Sequence, residues 1–347
     1  MIEIVGRSEV DAKVDEIYQA VHKVDGSKNY GDITKIKAED IPNADIFFHS
    51  SPCQSFSNIN MTQKFGGEEG SETKSSLMWH SLRLIKGHPE IKIVLWENVA
   101  AASRGQNEAN FNKYLNTLDE LGFTSTWKIL NPRDFGVPQN RPRLFVVSIN
   151  RNYLDPSKFE FPTETHQPCD MFDYLSENAD DKYTVPKNVL QGFDGKKGIF
   201  RERWLIKKPG DTAYCLVAKG GRSTITCNYL FKNWDVYNNL PCELSAKGLH
   251  FITEHSNEYP VRALTPREFW KLQSIPDYFF DRATEAGISD HRLYCCAGNG
   301  INVYVMKLIY SILYKQFGSE LKTQFTAFSG FGCQEIALEM AEKECES

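Results

Sequence analysis

Short apolar runs alternate with segments of helical periodicity through the first 150 residues, and this alternation constrains the fold more than any other feature. Residues 2–5, 46–48, 91–96 and 144–149 form the apolar runs, which predict buried strands. Two sets of apolar residues recur at the spacing of a helix face: Val10, Val14, Ile17 and Val21, and Phe111, Leu115, Leu118 and Leu121. Strands that alternate with helices in this way predict an α/β sheet.

Polar residues of the types that take part in catalysis lie next to three of these runs. Cys53 follows the run 46–48 and precedes a glycine-rich stretch at 66–70, which is a favourable place for a nucleophile. An isolated cysteine is more often simply buried, and isolated acids and arginines more often form structural ion pairs. The set is more specific than its parts. It comprises Pro52-Cys53-Gln54, Glu97-Asn98-Val99, and Gln139, Arg141 and Arg143.

These residues, in this order, resemble the nucleophile, acid and arginine motifs of the cytosine-C5 DNA methyltransferases. Further along, residues 262–268 with Leu272-Gln273 and Pro276-Asp277 resemble the segment that closes the family's target-recognition domain. Gly298-Asn299-Gly300 resembles the family's last motif, with Gly300 where the family usually has Ser. The resemblance extends over nearly the whole chain. It implies a Rossmann-like methyltransferase fold with a smaller, irregular target-recognition domain, and a reaction on cytosine C5 in duplex DNA.

One motif is out of order. The Phe-Ser-Gly-x-Gly element that opens the family's chains is found here at residues 328–332, whereas Met1 lies almost directly before the predicted second strand. A circular permutation explains this order, because chain ends are often close together at a domain surface. Residues 303–317 would then be the last family helix, followed by a strand at 324–328 and a helix at about 333–344. A fragment that needs a second polypeptide is the alternative.

The alternation of predicted strands and helices ends near residue 150, and this change predicts the domain organisation. We expect residues 1–150 to form the first part of a catalytic and cofactor domain, 151–260 the target-recognition domain, and 261–347 the return to the catalytic domain. The middle segment carries a cluster of basic residues. Ordinary surface charge without a binding role would also explain this cluster, but its position where the family has its target-recognition domain favours contacts to DNA. Its predicted DNA-binding residues are Arg201, Arg203, Lys207, Lys208, Lys219 and Arg222.

The resemblance implies S-adenosylmethionine as the cofactor. Phe328 would lie against the adenine, Gly330 and Gly332 would admit the methionine part, Glu9 would accept from the ribose hydroxyls, and Asp32 from the adenine amine. Cys333 replaces the motif's usual second glycine. Taken singly, Glu9 and Asp32 fit a helix start and a turn. The full predicted set is Phe328, Ser329, Gly330, Phe331, Gly332, Glu9, Asp32, Ile33, Pro52, Leu77, Asn299 and Gly300.

The resemblance also assigns roles in the reaction. Cys53 would add to C6 of the cytosine, a protonated Glu97 would donate to N3 while Asn98 orients its carboxyl group, and Arg141 or Arg143 would hold O2. Gln139 belongs to the same catalytic set. The target base must leave the duplex to reach a thiolate, and residues 55–77 would close over it as a lid. Two alternatives remain: an RNA cytosine-C5 methyltransferase of this fold, and a catalytically silent module that binds DNA or S-adenosylmethionine.

Composition is consistent with these expectations without deciding them. No apolar run reaches the length of a membrane span, so we expect a cytoplasmic protein with no membrane partner. Nine cysteines without a CxxC pair fit a reducing compartment, and eight histidines without clustered spacing predict no metal. A net charge of -5 requires any DNA contact to be a local basic patch. We expect a monomer, and the sequence identifies neither a target site nor a companion restriction endonuclease.

Overall fold

The computed structural model describes residues 1–52, 74–191, 206–218, 228–239 and 254–346, and the chain forms two compact units. The first unit comprises Met1–Asn131, Pro142–Glu164 and Ile301–Ser347, and the second comprises Pro132–Arg141 and Thr165–Gly300. This division differs from the expected boundaries, because residues 151–164 pack with the first unit and residues 261–300 with the second. Compactness does not decide which residues recognise DNA, so the domain assignment by function stays a prediction.

The part of the chain that the structure describes contains ten strands. In chain order they are β1 (Glu3–Ser8), β2 (Ile46–His49), β3 (Ile93–Val99), β4 (Phe123–Leu130), β5 (Gln139–Asn140), β6 (Arg143–Asn150), β7 (Ala213–Tyr214), β8 (Leu230–Phe231), β9 (Val261–Arg262) and β10 (Thr323–Ala327). The four strands predicted in the first 150 residues are therefore confirmed as β1, β2, β3 and β6. The strand β4 escaped prediction because only its two ends are buried, as expected for a strand at a sheet edge.

The first unit is built on one six-stranded sheet with the order β1-β10-β2-β3-β6-β4. Strands β1, β10, β2 and β3 are mutually parallel, whereas β6 runs antiparallel to both of its neighbours. The strand β10 comes from the far end of the chain and pairs with β1 on one side and β2 on the other, with Gln324 opposite Ile46. The sheet is thus a mixed α/β sheet whose second strand in space is the last in sequence.

The same described ranges contain nine α-helices. They are α1 (Ala12–His22), α2 (Met78–Lys86), α3 (Glu108–Glu120), α4 (Lys187–Gln191), α5 (Pro266–Leu272), α6 (Asp277–Glu285), α7 (Asp290–Asn299), α8 (Val303–Phe317) and α9 (Cys333–Glu346). The predicted helices at 303–317 and near 333–344 are confirmed. Val10 was expected on the first helix face, but α1 begins after Asp11, whose side chain accepts from the amides of Lys13 and Val14, and Val10 is 73% exposed. Within these ranges no helix is long and apolar enough to cross a membrane.

A buried aromatic group packs one face of the sheet in the first unit. The His49 imidazole contacts the Tyr114 hydroxyl at 2.7 Å and stacks on Trp96 with 5.6 Å between ring centroids. Burial lowers the pKa of His49 to about 3, so this ring is neutral at physiological pH. His49 is therefore a core residue, although it ends the strand that leads to Cys53.

The second unit has a buried ion pair near its centre. Arg262 of β9 is 1% exposed, and its two terminal nitrogens donate to the two carboxylate oxygens of Glu268, each at 2.9 Å. Glu268 also accepts from the amide of Thr265, and the Thr265 hydroxyl accepts from the amide of Glu268, which caps α5. The segment that resembles the family's domain-closing motif is thus held by its own arginine and acid.

Removing the arginine of this pair should destabilise the second unit strongly. We expect Arg262→Ala to lower the free energy of unfolding by about 3–5 kcal/mol, because Glu268 would keep a buried charge without its partner. The matched control is Arg267→Ala, whose exposed pairs with Asp277 and Asp281 should be worth about 0–1 kcal/mol. Urea denaturation followed by tryptophan fluorescence measures both, and equal losses in the two variants would contradict this account.

Candidate functional site

The predicted site residues of the first unit lie at one edge of its sheet. The parallel strands β1, β10, β2 and β3 end at Ser8, Ala327, His49 and Val99. Glu9 directly follows β1, the turn 328–332 follows β10, and residues 50–52 follow β2. Glu97 and Asn98 are the two residues before Val99, the last residue of β3. In an open α/β sheet, ligands bind at the carboxyl ends of the strands. The chain thus brings Glu9, residues 50–52, Glu97 and the turn 328–332 to one edge, although the turn comes from the opposite end of the sequence.

The turn between β10 and α9 is glycine-rich for geometric reasons. Phe328, Gly330 and Gly332 all have positive φ angles, of 58°, 56° and 90°. A side chain at Gly330 would meet no atom within 4 Å, so the space beside this residue is open. Backbone bonds fix the turn, since the amide of Ser329 donates to the carbonyl of Ser8 at 3.2 Å and the amide of Gly332 to the carbonyl of Ser329 at 3.0 Å. A backbone in this conformation can approach a ligand closely.

Glu9 joins the turn to the end of β1. One carboxylate oxygen accepts from the amide of Gly330 at 3.0 Å, and the other accepts from the amide of Asp11 at 2.9 Å. Burial raises the pKa of Glu9, and the hydrogen bonds from Asp11 and Gly330 oppose that shift. Each carboxylate oxygen has a second lone pair, so Glu9 can still accept from ligand hydroxyls. The predicted role of Glu9 at a ribose is therefore compatible with its position, and stays a prediction.

Asp32 lies in a turn next to the same edge. Its Oδ1 accepts from the amide and the hydroxyl of Thr34, and these bonds hold the pKa of Asp32 below its usual value. The Ser8 hydroxyl donates to the carbonyl of Gly31 at 2.6 Å, which ties this turn to the end of β1. Ile33 is buried in the core and its carbonyl accepts from Arg83. The Asp32 Oδ2 lies 3.8 Å from the Lys35 ammonium group. Asp32 is therefore a turn residue, and its predicted contact with the cofactor stays a prediction.

The chemistry of this edge fits S-adenosylmethionine. The open space beside Gly330 suits a ligand backbone, and the carboxylates of Glu9 and Asp32 are acceptors for hydroxyl and amine groups. The Ser329 hydroxyl is buried and has no hydrogen-bond partner among the described residues, so a polar ligand atom would satisfy it. Phe328 is partly buried against the core and supplies an aromatic surface. Leu77 packs against the same core, and Phe331 is buried.

The predicted nucleophile Cys53, with Gln54 and most of the predicted lid at 55–77, lies outside the described residues. The three residues before Cys53 are each held by a different element. The Ser50 hydroxyl donates to the carbonyl of Phe328 at 3.2 Å, and Asn98 donates to the carbonyl of Ser51 at 2.9 Å. The Ser75 hydroxyl donates to the carbonyl of Pro52 at 3.1 Å. The glycine-rich turn 328–332, the end of β3 and the segment before α2 thus each hold one of residues 50–52.

Glu97 and Arg143 form a pair at this edge. The Arg143 Nε lies 3.4 Å from the Glu97 carboxylate, and both side chains are largely buried, at 16% and 10% exposed. Strand register produces this pair, because β3 and β6 are antiparallel with Val99 opposite Arg143, which makes Glu97 its diagonal neighbour on the same face. The acid motif and one arginine of the arginine motif therefore meet in space as an ion pair, and their catalytic roles stay predictions.

Asn98 does not have the role that we expected from the sequence. Its amide group donates to Ser51, and its carbonyl oxygen accepts from the amide of Val99 at 2.9 Å, so it does not orient the Glu97 carboxyl group. Successive side chains of a strand point to opposite faces, which separates Asn98 from Glu97. Asn98 instead joins β3 to the residues that precede Cys53.

Gln139 and Arg141 belong to the second unit and serve its packing. The Gln139 side chain is fully buried and donates to the carbonyl of Leu272 and to Gln273. The Arg141 guanidinium donates to the carbonyls of Leu216, Gly298 and Gly300 at 2.8–3.0 Å. These contacts give both side chains a structural role, and their expected catalytic roles stay predictions. Arg141 thereby fixes the turn that contains Asn299, which is exposed; Asn299 and Gly300 also lie in the second unit, and their predicted cofactor contacts stay predictions.

Two of the six predicted DNA-binding residues fall in the described ranges. Lys207 is 5% exposed, donates to the carbonyl of Thr212 at 2.8 Å, and lies 3.4 Å from the Tyr214 ring centroid. It is therefore a structural lysine, and its expected contact with DNA is wrong. Lys208 is exposed, as a contact to phosphate requires. Arg201, Arg203, Lys219 and Arg222 lie outside the described residues. Within those ranges no group of three His, Cys, Asp or Glu side chains is arranged to hold a metal ion.

Sequence reasoning missed several residues that shape this edge. Ser50, Ser75 and His22 all bond to backbone atoms of the turn 328–332 or of residues 50–52. No local pattern marks them, because each partner is at least 23 positions away in sequence. Glu335, in the first turn of α9 and three residues after Gly332, was also missed. It is buried, and its place among the apolar residues of that helix was a signal in the sequence.

Comparison with known proteins adds a family and a fold. The sequence model of the C-5 cytosine-specific DNA methylase family matches residues 1–315. Type II methyltransferase M2.ScrFI of Lactococcus lactis subsp. cremoris is 33% identical over 290 residues, which is 83% of this chain and 72% of that protein. Type II methyltransferase M.DsaV of Dactylococcopsis salina is 28% identical over 306 residues, or 87% and 77% of the two chains.

Solved structures agree with the observed architecture. The S. pombe Dnmt2 methyltransferase superposes with a TM-score of 0.64 at 19% identity, and covers 90% of this chain and 91% of its own. A variant of Spodoptera frugiperda DNMT2 gives a TM-score of 0.68, also at 19% identity, over 90% and 92% of the two chains. At this identity the likeness concerns the fold alone, and it confirms the expected α/β methyltransferase fold.

Glu335 makes the stability of the first unit depend on pH. Burial raises its pKa to about 7, and the positive charge of Arg7 partly opposes the shift. The folded protein therefore binds this proton more tightly than the unfolded chain, so its stabilisation is complete below pH 4.5 and is lost as the pH rises through about 7. Between those two pH values the free energy of unfolding changes by an amount on the order of 3 kcal/mol.

We expect Glu335→Gln to remove this dependence. Its melting temperature should exceed that of the parent protein increasingly as the pH is raised from about 5 to about 8, because glutamine carries no proton to lose. Thermal unfolding by circular dichroism at several pH values measures the difference. The control is Glu339→Gln on the same helix, whose carboxylate pairs with Lys343 near the surface and should shift the curve little. A constant difference between Glu335→Gln and the parent would contradict the assignment.

Proposed function

The chain belongs to the C-5 cytosine-specific DNA methylase family and methylates cytosine in DNA, and we propose that it does so through a covalent bond between Cys53 and C6 of an extruded base. The observation that carries this proposal is the convergence of the family's motifs at one sheet edge of the first unit. Glu97 pairs with Arg143 there, and Asn98 from the same strand holds the carbonyl of Ser51, two residues before Cys53. Duplex DNA is the proposed substrate, rather than RNA, because the matched family is one of DNA methylases.

Methyltransferases of this family use S-adenosylmethionine, which supplies an electrophilic methyl group when bound. In this chain Phe328, Gly330 and Glu9 would hold it, with Asp32 as a further acceptor. The turn 328–332 supplies an open backbone surface beside Gly330, and the buried Ser329 hydroxyl supplies a polar group without a protein partner among the described residues. These features support the cofactor assignment that the motifs imply.

The residues of the edge would carry out the reaction in a definite order. The Cys53 thiolate attacks C6 of the cytosine, which moves the electrons of the C5–C6 bond toward C5 and the ring. Glu97, as the acid, donates a proton at N3 and so stabilises the ring charge. C5 would then act as the nucleophile toward the methyl group, and the bond from that methyl group to the cofactor's sulfur would break with its electrons left on sulfur. Loss of the C5 proton to water, return of the N3 proton to Glu97 and breakage of the bond from Cys53 to C6 would restore the aromatic ring, the acid and the thiolate.

The arginine that faces the base is Arg143 in this proposal. Its side chain lies beside Glu97, whereas the Arg141 guanidinium donates to three backbone carbonyls of the second unit. A cation beside Glu97 suits the O2 atom of the cytosine, which is next to N3 on the ring.

We also propose that the chain is a circular permutation of the family's usual order. The position of β10 between β1 and β2 supports this, because its turn carries the motif that opens other family members. The family match ends at residue 315, before β10 and α9. Glu342 of α9 accepts from the amide of Ile2 and lies 3.8 Å from the amino group of Met1, so both ends of the described chain are close in space.

The biological role that fits best is sequence-specific modification of DNA. Several relatives are named type II methyltransferases, and the segment 151–260 is the proposed target-recognition domain. Lys208 is the exposed basic residue of that segment's predicted set within the described ranges, and the buried Lys207 next to it supports the local backbone. Bisulfite sequencing of DNA from cells that express the protein would identify the methylated context.

Replacing the nucleophile tests the mechanism. We expect Cys53→Ala to abolish methylation of duplex DNA, because no other group in the proposal can form the bond to C6. Its affinity for S-adenosylmethionine should stay within about twofold of the parent, since the thiol is not among the proposed cofactor contacts. Methyl transfer is measured with labelled cofactor, and binding by calorimetry. Cys169→Ala, in the second unit, is the control and should keep full activity. Full methylation by Cys53→Ala would rule out the covalent mechanism.

Restoring the usual order tests the permutation. A chain that begins at residue 320, continues to 346, and is joined through a linker of about eight Gly and Ser residues to residues 1–318 should fold and methylate DNA. Its melting temperature should remain within a few degrees of the parent, because every strand pairing is preserved. The control chain opens between residues 47 and 48, inside β2, and should not fold. Aggregation of both rearranged chains would contradict the proposed equivalence of the two orders.

A further inference from the structure

His22 lies beside the glycine-rich turn although it is 309 positions away in sequence. It belongs to the last turn of α1, and its Nε2 is 3.1 Å from the carbonyl oxygen of Phe331, the residue between Gly330 and Gly332. A carbonyl can only accept, so Nε2 carries the hydrogen and donates it. The carbonyl of Phe331 is thus fixed by a side chain from a different helix.

The close approach of His22 is built into the turn. A Cβ atom at residue 332 would lie 2.1 Å from the Nε2 of His22 and 2.9 Å from the ring of Tyr18, and Gly332 also has a φ of 90°. Glycine is therefore required here both by conformation and by the neighbouring imidazole. The ring itself is restrained, because Tyr18 packs against it with 4.4 Å between centroids.

The neighbours of Tyr18 extend this restraint to β1. The Arg7 guanidinium lies 4.1 Å from the Tyr18 ring centroid and pairs with Asp15 at 2.6 Å. Arg7 and Tyr18 are both buried, so neither ring nor guanidinium can move freely. His22 therefore presents its donor to the turn from a fixed scaffold made by β1 and α1.

Fixing the Phe331 carbonyl defines the whole turn. The carbonyl of Phe331 and the amide of Gly332 belong to one planar peptide group, and that amide donates to the carbonyl of Ser329 at 3.0 Å. His22 holds one side of this group and Ser329 the other. Rotation of the peptide would break both bonds. The open surface beside Gly330 therefore depends on a peptide orientation that His22 maintains.

We propose that His22 is a positioning residue for S-adenosylmethionine, which acts by holding the turn 328–332 in its binding conformation. This inference rests on the proposed function, because it takes the turn as the cofactor site. His22 makes no contact with the reacting atoms in this proposal. Its loss should weaken cofactor binding by the cost of ordering the turn, while the chemical step at saturating cofactor is preserved.

Three substitutions separate the hydrogen bond from the packing. His22→Gln keeps an amide donor close to the position of Nε2, His22→Phe keeps a ring against Tyr18 without a donor, and His22→Ala removes both. We expect the Kd for S-adenosylmethionine, measured by calorimetry without DNA, to rise about tenfold in the Phe and Ala variants. In the Gln variant it should stay within about twofold of the parent. The kcat at saturating cofactor should change less than about threefold in all three.

His88 provides a matched control. Its Nε2 also donates to a backbone carbonyl, that of Ala38 at 2.8 Å, and it lies in the same unit but away from the turn. His88→Ala should lower the melting temperature without changing the Kd for the cofactor. Melting curves of all variants without ligand report folding, and if His22→Ala does not fold, the Phe and Gln variants decide the question.

The outcomes are distinct. Parent-like binding by His22→Phe, or binding by His22→Gln as weak as by His22→Phe, would overturn the role of the hydrogen bond. An equal loss of affinity in His88→Ala would show a general effect of stability and overturn it also. If the parent protein itself binds no S-adenosylmethionine, the cofactor assignment in the proposed function fails instead. A raised Kd for S-adenosylmethionine in the Phe variant, together with a Kd close to that of the parent in the Gln variant, supports the proposal.

Discussion

Parallel pairing of β10 between β1 and β2 is the constraint on which the rest of the first unit depends. A strand in the interior of a sheet must satisfy its backbone groups on both sides, and β10 does so only with two strands that come from the beginning of the chain. The turn after β10 is thereby placed beside the ends of those strands. Glu9, the turn 328–332 and residues 50–52 meet because three neighbouring parallel strands end at the same edge.

Polar contacts at that edge connect elements that carry different parts of the proposed reaction. The Ser50 hydroxyl donates to the carbonyl of Phe328 in the glycine-rich turn, the carbonyl of Ser51 accepts from Asn98 of the acid motif, and the carbonyl of Pro52 accepts from Ser75. The three bonds act on consecutive residues just before Cys53. Because each bond comes from a different element, a shift of the glycine-rich turn or of β3 would also displace residues 50–52.

The residues of the arginine motif have two kinds of partner: one pairs with the acid motif, and the others hold backbone carbonyls of the second unit. Arg143 lies beside Glu97 in the first unit, whereas Gln139 and Arg141 satisfy buried carbonyls in the second. The sequence could not separate the two arginines, since they are two positions apart and chemically identical. Their partners in the fold distinguish them. Burial distinguishes Lys207 from Lys208, since only Lys208 is exposed.

The sequence alone determined the α/β class, five strands of the main sheet, the helices α1, α3, α8 and α9, and the family, because apolar periodicity and motif spacing are local properties of the chain. It also identified the residues of the Glu97 and Arg143 pair. Only the tertiary structure decided that Asn98 bonds Ser51, that Arg141 and Lys207 are structural, and that His22 supports the glycine turn. Those facts depend on strand register, burial and contacts across as many as 309 positions, which no local pattern encodes.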